Sequence, residues 1–180
     1  MSKFDASAYS MLIFDFDGVF TDNYVLMDQN GIEYAKFSRA DGYAINLLNS
    51  AKKLLMHSLE YFVLSTEKNP LVSERCKKMN LKCVQGVPDK LEYVNSMTKD
   101  GKEFDFKGLI YVGNDLNDLP LIKKSALTFC PADAHPIVKA ETDYVSRRNG
   151  GEEFVREIVE ILLGFESRKP EEIHELIHNC

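Results

Sequence analysis

The stretch that decides the fold is IFDFDGVFTD, residues Ile13 to Asp22. A short apolar run leads into Asp15, and after one phenylalanine Asp17 and Gly18 follow. An apolar run with so little alternation is typical of a buried strand, so the two carboxylates stand at the end of one. Because side chains two residues apart on a strand face the same side, Asp15 and Asp17 can converge on one site. Gly18 would let the chain turn sharply beside them.

Further apolar runs, most of them bounded by Gly, Pro, Asn or Asp, predict a whole sheet. With Met11–Asp17 first, the predicted strands continue with Tyr61–Ser65, Lys82–Gly86, Leu109–Asp115, Leu127–Cys130 and Tyr144–Ser146. Apolar residues at helical spacing lie between and after them: Ala44, Leu47, Leu48, Ala51 and Leu55, then Phe154, Val155, Ile158, Val159 and Leu162. This alternation predicts an α/β fold, a doubly wound parallel sheet with helices on both faces. In such sheets ligands bind beyond the carboxyl ends of the strands.

One segment interrupts the alternation of strands and helices. Thr21–Ser38 contains Asn30-Gly31 between two strand-like runs, which predicts a β-hairpin at about residues 22–37 as an appendage to the sheet. We find no second domain inserted there or elsewhere, and we predict a single domain over residues 1–165. Residues 166–180 form a polar C-terminal tail, in which Pro170 is expected to begin a short helix.

Composition narrows the class of protein. A chain of 180 residues with 44% hydrophobic content suits one soluble globular domain. Its net charge of −6, without a long run of Lys or Arg, argues against nucleic acid as a partner. No apolar run approaches the roughly 20 residues that cross a bilayer, so we expect no membrane partner. The chain has four cysteines, which form no CxxC pair: Cys76, Cys83, Cys130 and Cys180. Because no signal peptide is recognised either, we expect these thiols to be reduced and the protein to be cytoplasmic.

Two chemistries suit a pair of carboxylates at a strand end. A carboxylate can attack phosphorus and form an aspartyl-phosphate. Two carboxylates with further oxygen ligands can also hold Mg²⁺, which offsets the repulsion between an anionic nucleophile and a phosphate. The alternative is that Asp15 and Asp17 only cap a strand-to-loop turn, where aspartate is common.

Other strand ends favour the chemical interpretation. Ser65 could donate a hydrogen bond to a phosphoryl oxygen, and Lys90 could offset charge on the transferring group, although each residue type has a common structural use. Oxygen ligands also follow the strand in YVGNDLND, at Asn114, Asp115 and Asp118. A third strand end with oxygen ligands favours a metal site over the alternative that these aspartates only cap turns.

These residues resemble, in order, the four motifs of the haloacid dehalogenase (HAD) superfamily: DFDGVFTD, LST, the lysine of QGVPDK, and GNDLND. The resemblance runs from about Met11 to Leu163. Within the superfamily the sequence is similar to small phosphatases without a cap domain that act on eight- and nine-carbon keto-sugar acid phosphates. These are the 3-deoxy-D-manno-octulosonate (KDO) 8-phosphate phosphatases, the nonulosonate (sialic-acid-type) 9-phosphate phosphatases, and related domains fused to acylneuraminate cytidylyltransferases.

The resemblance implies a role for each motif residue. Asp15 would be the nucleophile and a Mg²⁺ ligand. Asp17 would be the general acid and then the base, with its backbone carbonyl on the metal. Ser65 and Lys90 would bind the phosphoryl group. The remaining implied positions are Asn114 and Asp115 at the metal, Asp118 in its outer shell, and Gly18, Thr66, Glu67, Arg75, Lys78 and the Gly150-Gly151 region around the substrate.

The resemblance also implies a homotetramer, because family members are typically tetramers whose hairpin builds the subunit interface and covers the active site.

Two residues depart from the usual pattern. Glu67 stands where the octulosonate enzymes usually carry Arg; a Glu there resembles the nonulosonate group and favours a nine-carbon over an eight-carbon substrate. Asn114 replaces an Asp of many active members and removes a charge from the metal site. The alternative to a phosphatase is therefore a weakly active or inactive module that oligomerises or regulates an acylneuraminate cytidylyltransferase.

Overall fold

The structure is a computed structural model that describes residues 4–54, 58–98 and 103–178. Its strands are β1 (Met11–Phe14), β2 (Leu26–Met27), β3 (Glu33–Tyr34), β4 (Glu60–Leu64), β5 (Cys83–Val84), β6 (Leu109–Val112), β7 (Leu127–Cys130) and β8 (Tyr144–Val145). The main sheet has the order β5-β4-β1-β6-β7-β8, and every pairing in it is parallel. All the predicted strands are confirmed. Except for β7, each ends earlier than predicted, because the residues at its carboxyl end turn into loops.

Helices cover both faces of this sheet, as predicted. They are α1 (Arg39–Leu54), α2 (Pro70–Lys78), α3 (Lys90–Asn95), α4 (Leu119–Ile122), α5 (Pro136–Glu141), α6 (Phe154–Leu162) and α7 (Pro170–His178). Leu12 and Phe14 of β1 pack in the core that α1, α2 and α6 share, whereas Ile13 packs in the core under α3, α4 and α5. The alternation of side chains along a strand therefore feeds two cores, and this is what makes the fold doubly wound.

The predicted helical repeats match α1 and α6, although Leu55 lies outside the described residues, as does Cys180. The tail helix begins at Pro170 as predicted, and it packs against α1. Leu176 is buried in the same core as α1. The division of the chain at residue 165 stays a prediction. Within the described residues, no helix combines the length and the apolar character that crossing a bilayer requires.

The predicted hairpin follows β1 directly. Strands β2 and β3 pair antiparallel, with Leu26 opposite Tyr34. Asp28 N donates to Ile32 O at 3.0 Å across the turn, and Gly31 adopts a φ of +78° that favours glycine. Between β1 and α1 the described chain contains this hairpin and no larger insert, as expected for a fold without a cap domain.

Asp41 joins the start of α1 to the start of α6, a link that the sequence did not reveal. The left-handed residue before α6, Glu153, makes no side-chain cap. Instead Asp41 Oδ1 accepts from Arg156 N at 2.9 Å. Burial raises the pKa of Asp41 to about 6, even though the N–H groups of α6 favour the ionised form.

This raised pKa predicts a pH effect on stability. The folded protein binds the Asp41 proton more tightly than the unfolded chain, so the stabilisation is present below about pH 4 and is lost as pH rises through about 6. Relative to Asp41→Asn, the wild type should gain at most about 3 kcal/mol of unfolding free energy as pH falls from 6.5 to 4. Urea unfolding at several pH values measures this, and parallel profiles for the two proteins would contradict it.

Candidate active site

The carboxyl ends of β1, β4 and β6 open into one cavity of about 300 Å³. The structure brings seven of the predicted site residues to its lining: Asp15, Asp17, Ser65, Thr66, Glu67, Asn114 and Asp115. Hairpin residues complete the wall on the side away from the sheet, among them Tyr24, Glu33 and Tyr34. The cavity therefore lies at the edge of the sheet where the fold class predicts a ligand.

Lys90 is buried behind Asp15 and does not itself line the cavity. Its Nζ atom lies 2.6 Å from Asp15 Oδ1 and 2.7 Å from Asp118 Oδ1. The Lys90 side chain is only 1% exposed, so the common alternative of a solvated surface lysine does not apply. Burial opposes the charged form, but the two carboxylates outweigh it and raise the pKa of Lys90. The ammonium group is thus a fixed positive charge beneath Asp15.

Asp118 holds Lys90 and the following loop in place. Besides Lys90, its carboxylate accepts from Tyr111 Oη at 2.6 Å, Asn114 N at 2.9 Å and Asp115 N at 3.2 Å. A Cβ atom on Gly113 would lie 2.6 Å from this carboxylate, so only glycine fits there. These contacts of Asp118 fix the positions of Lys90 and of the Asn114 backbone. The place of Asp118 in a metal's outer shell stays a prediction.

The two carboxylates of the first motif have different environments. Asp15 is 5% exposed, and burial, followed by the charge of Asp118, raises the pKa of Asp15 to about 8 in spite of Lys90. Asp17 is half-buried and lines the cavity. Burial and then the charge of Glu67 raise its pKa, while the charge of Lys90 and a hydrogen bond from Thr21 oppose the rise. A raised pKa suits Asp17 to donating a proton.

Three oxygen atoms face one another beside Asp15. Asn114 Oδ1 lies 2.8 Å from the backbone oxygen of Asp17 and 3.3 Å from Asp15 Oδ2. Either rotation of the amide or a cation would satisfy these three acceptors. Carboxylate, carbonyl and amide oxygens are all ligands that Mg²⁺ accepts, so the chemistry of these three groups suits this ion. No group of three His, Cys, Asp or Glu side chains among the described residues could hold a metal; the set here is a carboxylate, a carbonyl and an amide.

Asp115, the fourth predicted ligand, differs from these three. Its carboxylate accepts from Leu116 N at 2.7 Å and caps the short turn after β6, while its side chain lines the cavity.

Ser65 is well placed for its predicted role of donating a hydrogen bond to a phosphoryl oxygen. Its Oγ accepts from Glu67 N at 3.0 Å, which leaves the hydroxyl hydrogen to be donated into the cavity.

Three predicted substrate residues, Gly18, Arg75 and Lys78, are not among the residues that line the cavity. Arg75 donates from Nη2 to Ser38 O at 3.0 Å and its guanidinium lies 5.1 Å from the ring centre of Phe37. Lys78 is exposed at the end of α2. Neither Arg75 nor Lys78 lines the cavity of its own chain, so a contact with substrate would have to come from a neighbouring subunit and stays a prediction.

The glycine pair of the last predicted region supports the first motif. A Cβ atom on Gly150 would lie 2.0 Å from the carbonyl oxygen of Gly18. Gly18 itself has a φ of +77°, and its N–H donates to Thr21 Oγ1 at 3.1 Å. The loop at Gly150 therefore packs on the turn that follows Asp17 and fixes it.

Sequence reasoning missed Thr21 and Tyr111. Thr21 lies in a loop and Tyr111 in an apolar run, and neither has a sequence signal of its own.

Removing the Lys90 charge should slow chemistry. In Lys90→Met the side chain keeps its approximate length, but Asp15 and Asp118 lose the shared ammonium group. We expect kcat to fall by roughly 10²-fold, about 2 to 3 kcal/mol, as for one lost electrostatic donor. Stability should also fall, because a buried pair loses one partner. Steady-state kinetics with a thermal melt as control tests this, and a change confined to KM would count against the role.

Comparison with known proteins identifies the family of this chain. No model of a protein family matches the chain. The chain is 34% identical over 154 residues to the 3-deoxy-D-manno-octulosonate 8-phosphate phosphatase of Escherichia coli K12, over 85% of this chain and 78% of that protein. A solved structure described as a HAD family hydrolase, from Streptomyces avermitilis MA-4680, has 32% identity and a TM-score of 0.80 over 93% of both chains. The cobalt-bound deoxy-D-mannose-octulosonate 8-phosphate phosphatase of Haemophilus influenzae has 27% identity and a TM-score of 0.75 over 91% of both chains. The chain therefore belongs to the HAD superfamily, in the subfamily of the 3-deoxy-D-manno-octulosonate 8-phosphate phosphatases, which are phosphomonoester hydrolases.

Proposed function

We propose that the protein is a Mg²⁺-dependent phosphatase that hydrolyses a keto-sugar acid phosphate through an aspartyl-phosphate at Asp15. The observation that carries this proposal is the bridge from Lys90 to Asp15 and Asp118 beneath a cavity that Asp17 also lines. Acids that only cap a turn do not need a buried ammonium group, whereas a nucleophile facing a phosphate dianion does.

In the proposed mechanism, side chains of this chain make the bond to phosphorus and carry out each proton transfer. The Asp15 carboxylate attacks phosphorus while Asp17 protonates the departing sugar oxygen, which breaks the P–O ester bond. The ionised Asp17 then removes a proton from water, and the resulting hydroxide cleaves the aspartyl-phosphate to free Asp15 and inorganic phosphate. Ser65 and Lys90 hold the phosphoryl oxygens. A bound divalent cation, held by Asp15, the Asp17 carbonyl and Asn114, supplies charge that favours ionised Asp15 and offsets the phosphate.

Phosphate release from 4-nitrophenyl phosphate and from sugar-acid phosphates tests the proposal. Turnover should require Mg²⁺, disappear with excess EDTA and return when Mg²⁺ is added. The Haemophilus relative was solved in a cobalt-bound form, which supports a metal requirement. A purified, folded protein that neither binds Mg²⁺ nor releases phosphate would contradict the proposal, and would support the inactive module suggested by Asn114.

The length of the sugar chain is a second question for the same assay. The curated relative named above acts on an eight-carbon substrate, whereas Glu67 favours a nine-carbon one by resemblance. Glu67 Oε1 already accepts from Lys68 N at 2.6 Å and Asn69 N at 2.8 Å, so its other oxygen is the one available to a sugar hydroxyl. A screen of octulosonate 8-phosphate, nonulosonate 9-phosphates and hexose phosphates would assign the substrate.

Restoring the missing charge should strengthen metal binding. Asn114→Asp keeps the shape of the side chain and adds a carboxylate at the three facing oxygens. We expect the Mg²⁺ concentration for half-maximal activity to fall roughly tenfold, about 1.4 kcal/mol. The measurement is a Mg²⁺ titration of the phosphatase rate. A higher Mg²⁺ requirement in the variant would show that Asn114 is not beside the ion.

We also propose that the hairpin mediates a homotetramer. Its large apolar side chains are exposed in one chain, at 77% for Tyr24, 58% for Val25, 71% for Leu26 and 64% for Met27. Exposed apolar groups clustered in this way are typical of an interaction site, and a second copy would cover them. Leu26→Asp should shift the protein to smaller species in sedimentation velocity, and an unchanged distribution would contradict the proposal. A cytoplasmic location, and the absence of nucleic-acid and membrane partners, stay predictions.

A further inference from the structure

The leaving group must lie on the hairpin side of the cavity. In the proposed mechanism the phosphoryl group is bonded to Asp15, and Asp17 protonates the ester oxygen. The rest of the substrate then extends past Asp17 toward the wall that Glu33 of β3 and Glu67 form with hairpin residues. This placement rests on the proposed function, because it follows from the roles of Asp15 and Asp17.

Asn69 clamps Glu33 and Glu67 into this wall. Its Nδ2 donates to Glu33 Oε2 at 2.5 Å, and its backbone N–H donates to Glu67 Oε1 at 2.8 Å. Asn69 is itself fixed as the N-cap of α2, where its Oδ1 accepts from Leu71 N at 3.0 Å. One residue therefore holds two carboxylates from different elements, the hairpin and the loop after β4.

Each clamped carboxylate keeps one oxygen for a ligand. Glu33 Oε1 and Glu67 Oε2 accept no hydrogen bond from the part of the chain that the structure describes. Both side chains line the cavity, and no Lys or Arg stands among the described lining residues. Such a wall accepts hydrogen bonds from hydroxyl groups and repels anions placed against it.

We infer that Glu33, clamped by Asn69 beside Glu67, is a specificity-determining residue that binds the hydroxyl groups of a polyhydroxylated chain next to the phosphate ester. A carboxylate on the same substrate then has to point away from this wall. Glu33 selects for sugar-chain phosphates over phosphate esters whose leaving group carries no hydroxyl. Asn69 contributes by positioning, since it touches the two carboxylates and not the substrate.

A substrate comparison tests this inference. kcat/KM is measured for the best sugar-acid phosphate of the substrate screen and for 4-nitrophenyl phosphate, which has no hydroxyl on its leaving group. In Glu33→Ala and Glu33→Gln the ratio of the two values should fall roughly 10- to 100-fold, the loss expected for a hydrogen bond to a charged group. Glu74→Ala, an exposed Glu elsewhere on α2, is the matched control and should keep the wild-type ratio.

The possible outcomes separate the two proposals. A wild-type ratio in Glu33→Ala, or an equal loss on both substrates, would overturn the inference, because a merely structural role affects both substrates alike. Thermal melts of the variants show whether the clamp also stabilises the hairpin. If the wild type hydrolyses neither substrate, the proposed function itself fails, and the inference fails with it.

Discussion

Asp15→Asn should abolish phosphatase turnover, with a loss of at least about 10³-fold in kcat. The amide cannot attack phosphorus, so the covalent route through an aspartyl-phosphate is closed. The variant should remain folded, because Lys90 keeps its pair with Asp118, which also accepts from Tyr111 Oη and two backbone N–H groups. Phosphate release from 4-nitrophenyl phosphate and from the sugar substrate measures the effect.

Asp105→Asn is the matched control for this variant. Asp105 caps the turn before β6, at the opposite end of that strand from the cavity, and Asn is an equally good cap. Its activity should stay close to that of the wild type. Turnover by Asp15→Asn at more than a few per cent of the wild-type rate would show that a different residue captures the phosphoryl group.

Asp17→Asn should separate the two halves of the reaction. A sugar alcohol is a poor leaving group that needs its proton, so kcat for the sugar phosphate should fall by about 10² to 10⁴. The 4-nitrophenolate ion leaves without a proton, so phosphorylation of Asp15 should continue. Because Asp17 is also the base for the second half, the aspartyl-phosphate should then accumulate. Stopped-flow absorbance should show a burst of about one 4-nitrophenol per active site, followed by slow turnover.

The burst is what distinguishes an acid–base role from a structural one. A variant that has lost its site would show neither burst nor turnover with 4-nitrophenyl phosphate. A variant with wild-type rates on both substrates would assign the proton to another group. The turn at Gly18 should persist in this variant, because the amide oxygen can still accept from Thr21, whose Oγ1 accepts from Gly18 N.

The sequence predicts the sheet and its two layers of helices because their signals are local. Each buried strand is a short apolar run, and Asn30-Gly31 by itself predicts the hairpin turn. Asp15, Asp17 and Ser65 could be assigned to one edge of the sheet because each stands at the carboxyl end of a predicted parallel strand. For Lys90 the sequence gives little beyond the resemblance, since its burial depends on Asp118, which lies 28 residues further along the chain.

The residues that sequence reasoning missed act through contacts between distant segments. Asp41 caps a helix 115 residues away, and Glu33 meets Asn69 across 36 residues. Neither contact could be predicted from a periodic pattern in the sequence. The Gly150-Gly151 region was implied by the resemblance, but the sequence did not show that Gly150 needs to be glycine because of the carbonyl of Gly18 and not because of its own backbone angle. Such contacts become visible only when the tertiary structure places both partners.

The most direct test of the account is a crystal structure grown with Mg²⁺ and beryllium fluoride, which mimics an aspartyl-phosphate. We expect BeF₃⁻ bonded to the Asp15 carboxylate above Lys90, and Mg²⁺ bound by Asp15, the Asp17 carbonyl oxygen and Asn114. Beryllium fluoride bonded elsewhere, or a cavity without either species at saturating concentrations, would contradict the claim that Asp15 is a metal-assisted nucleophile.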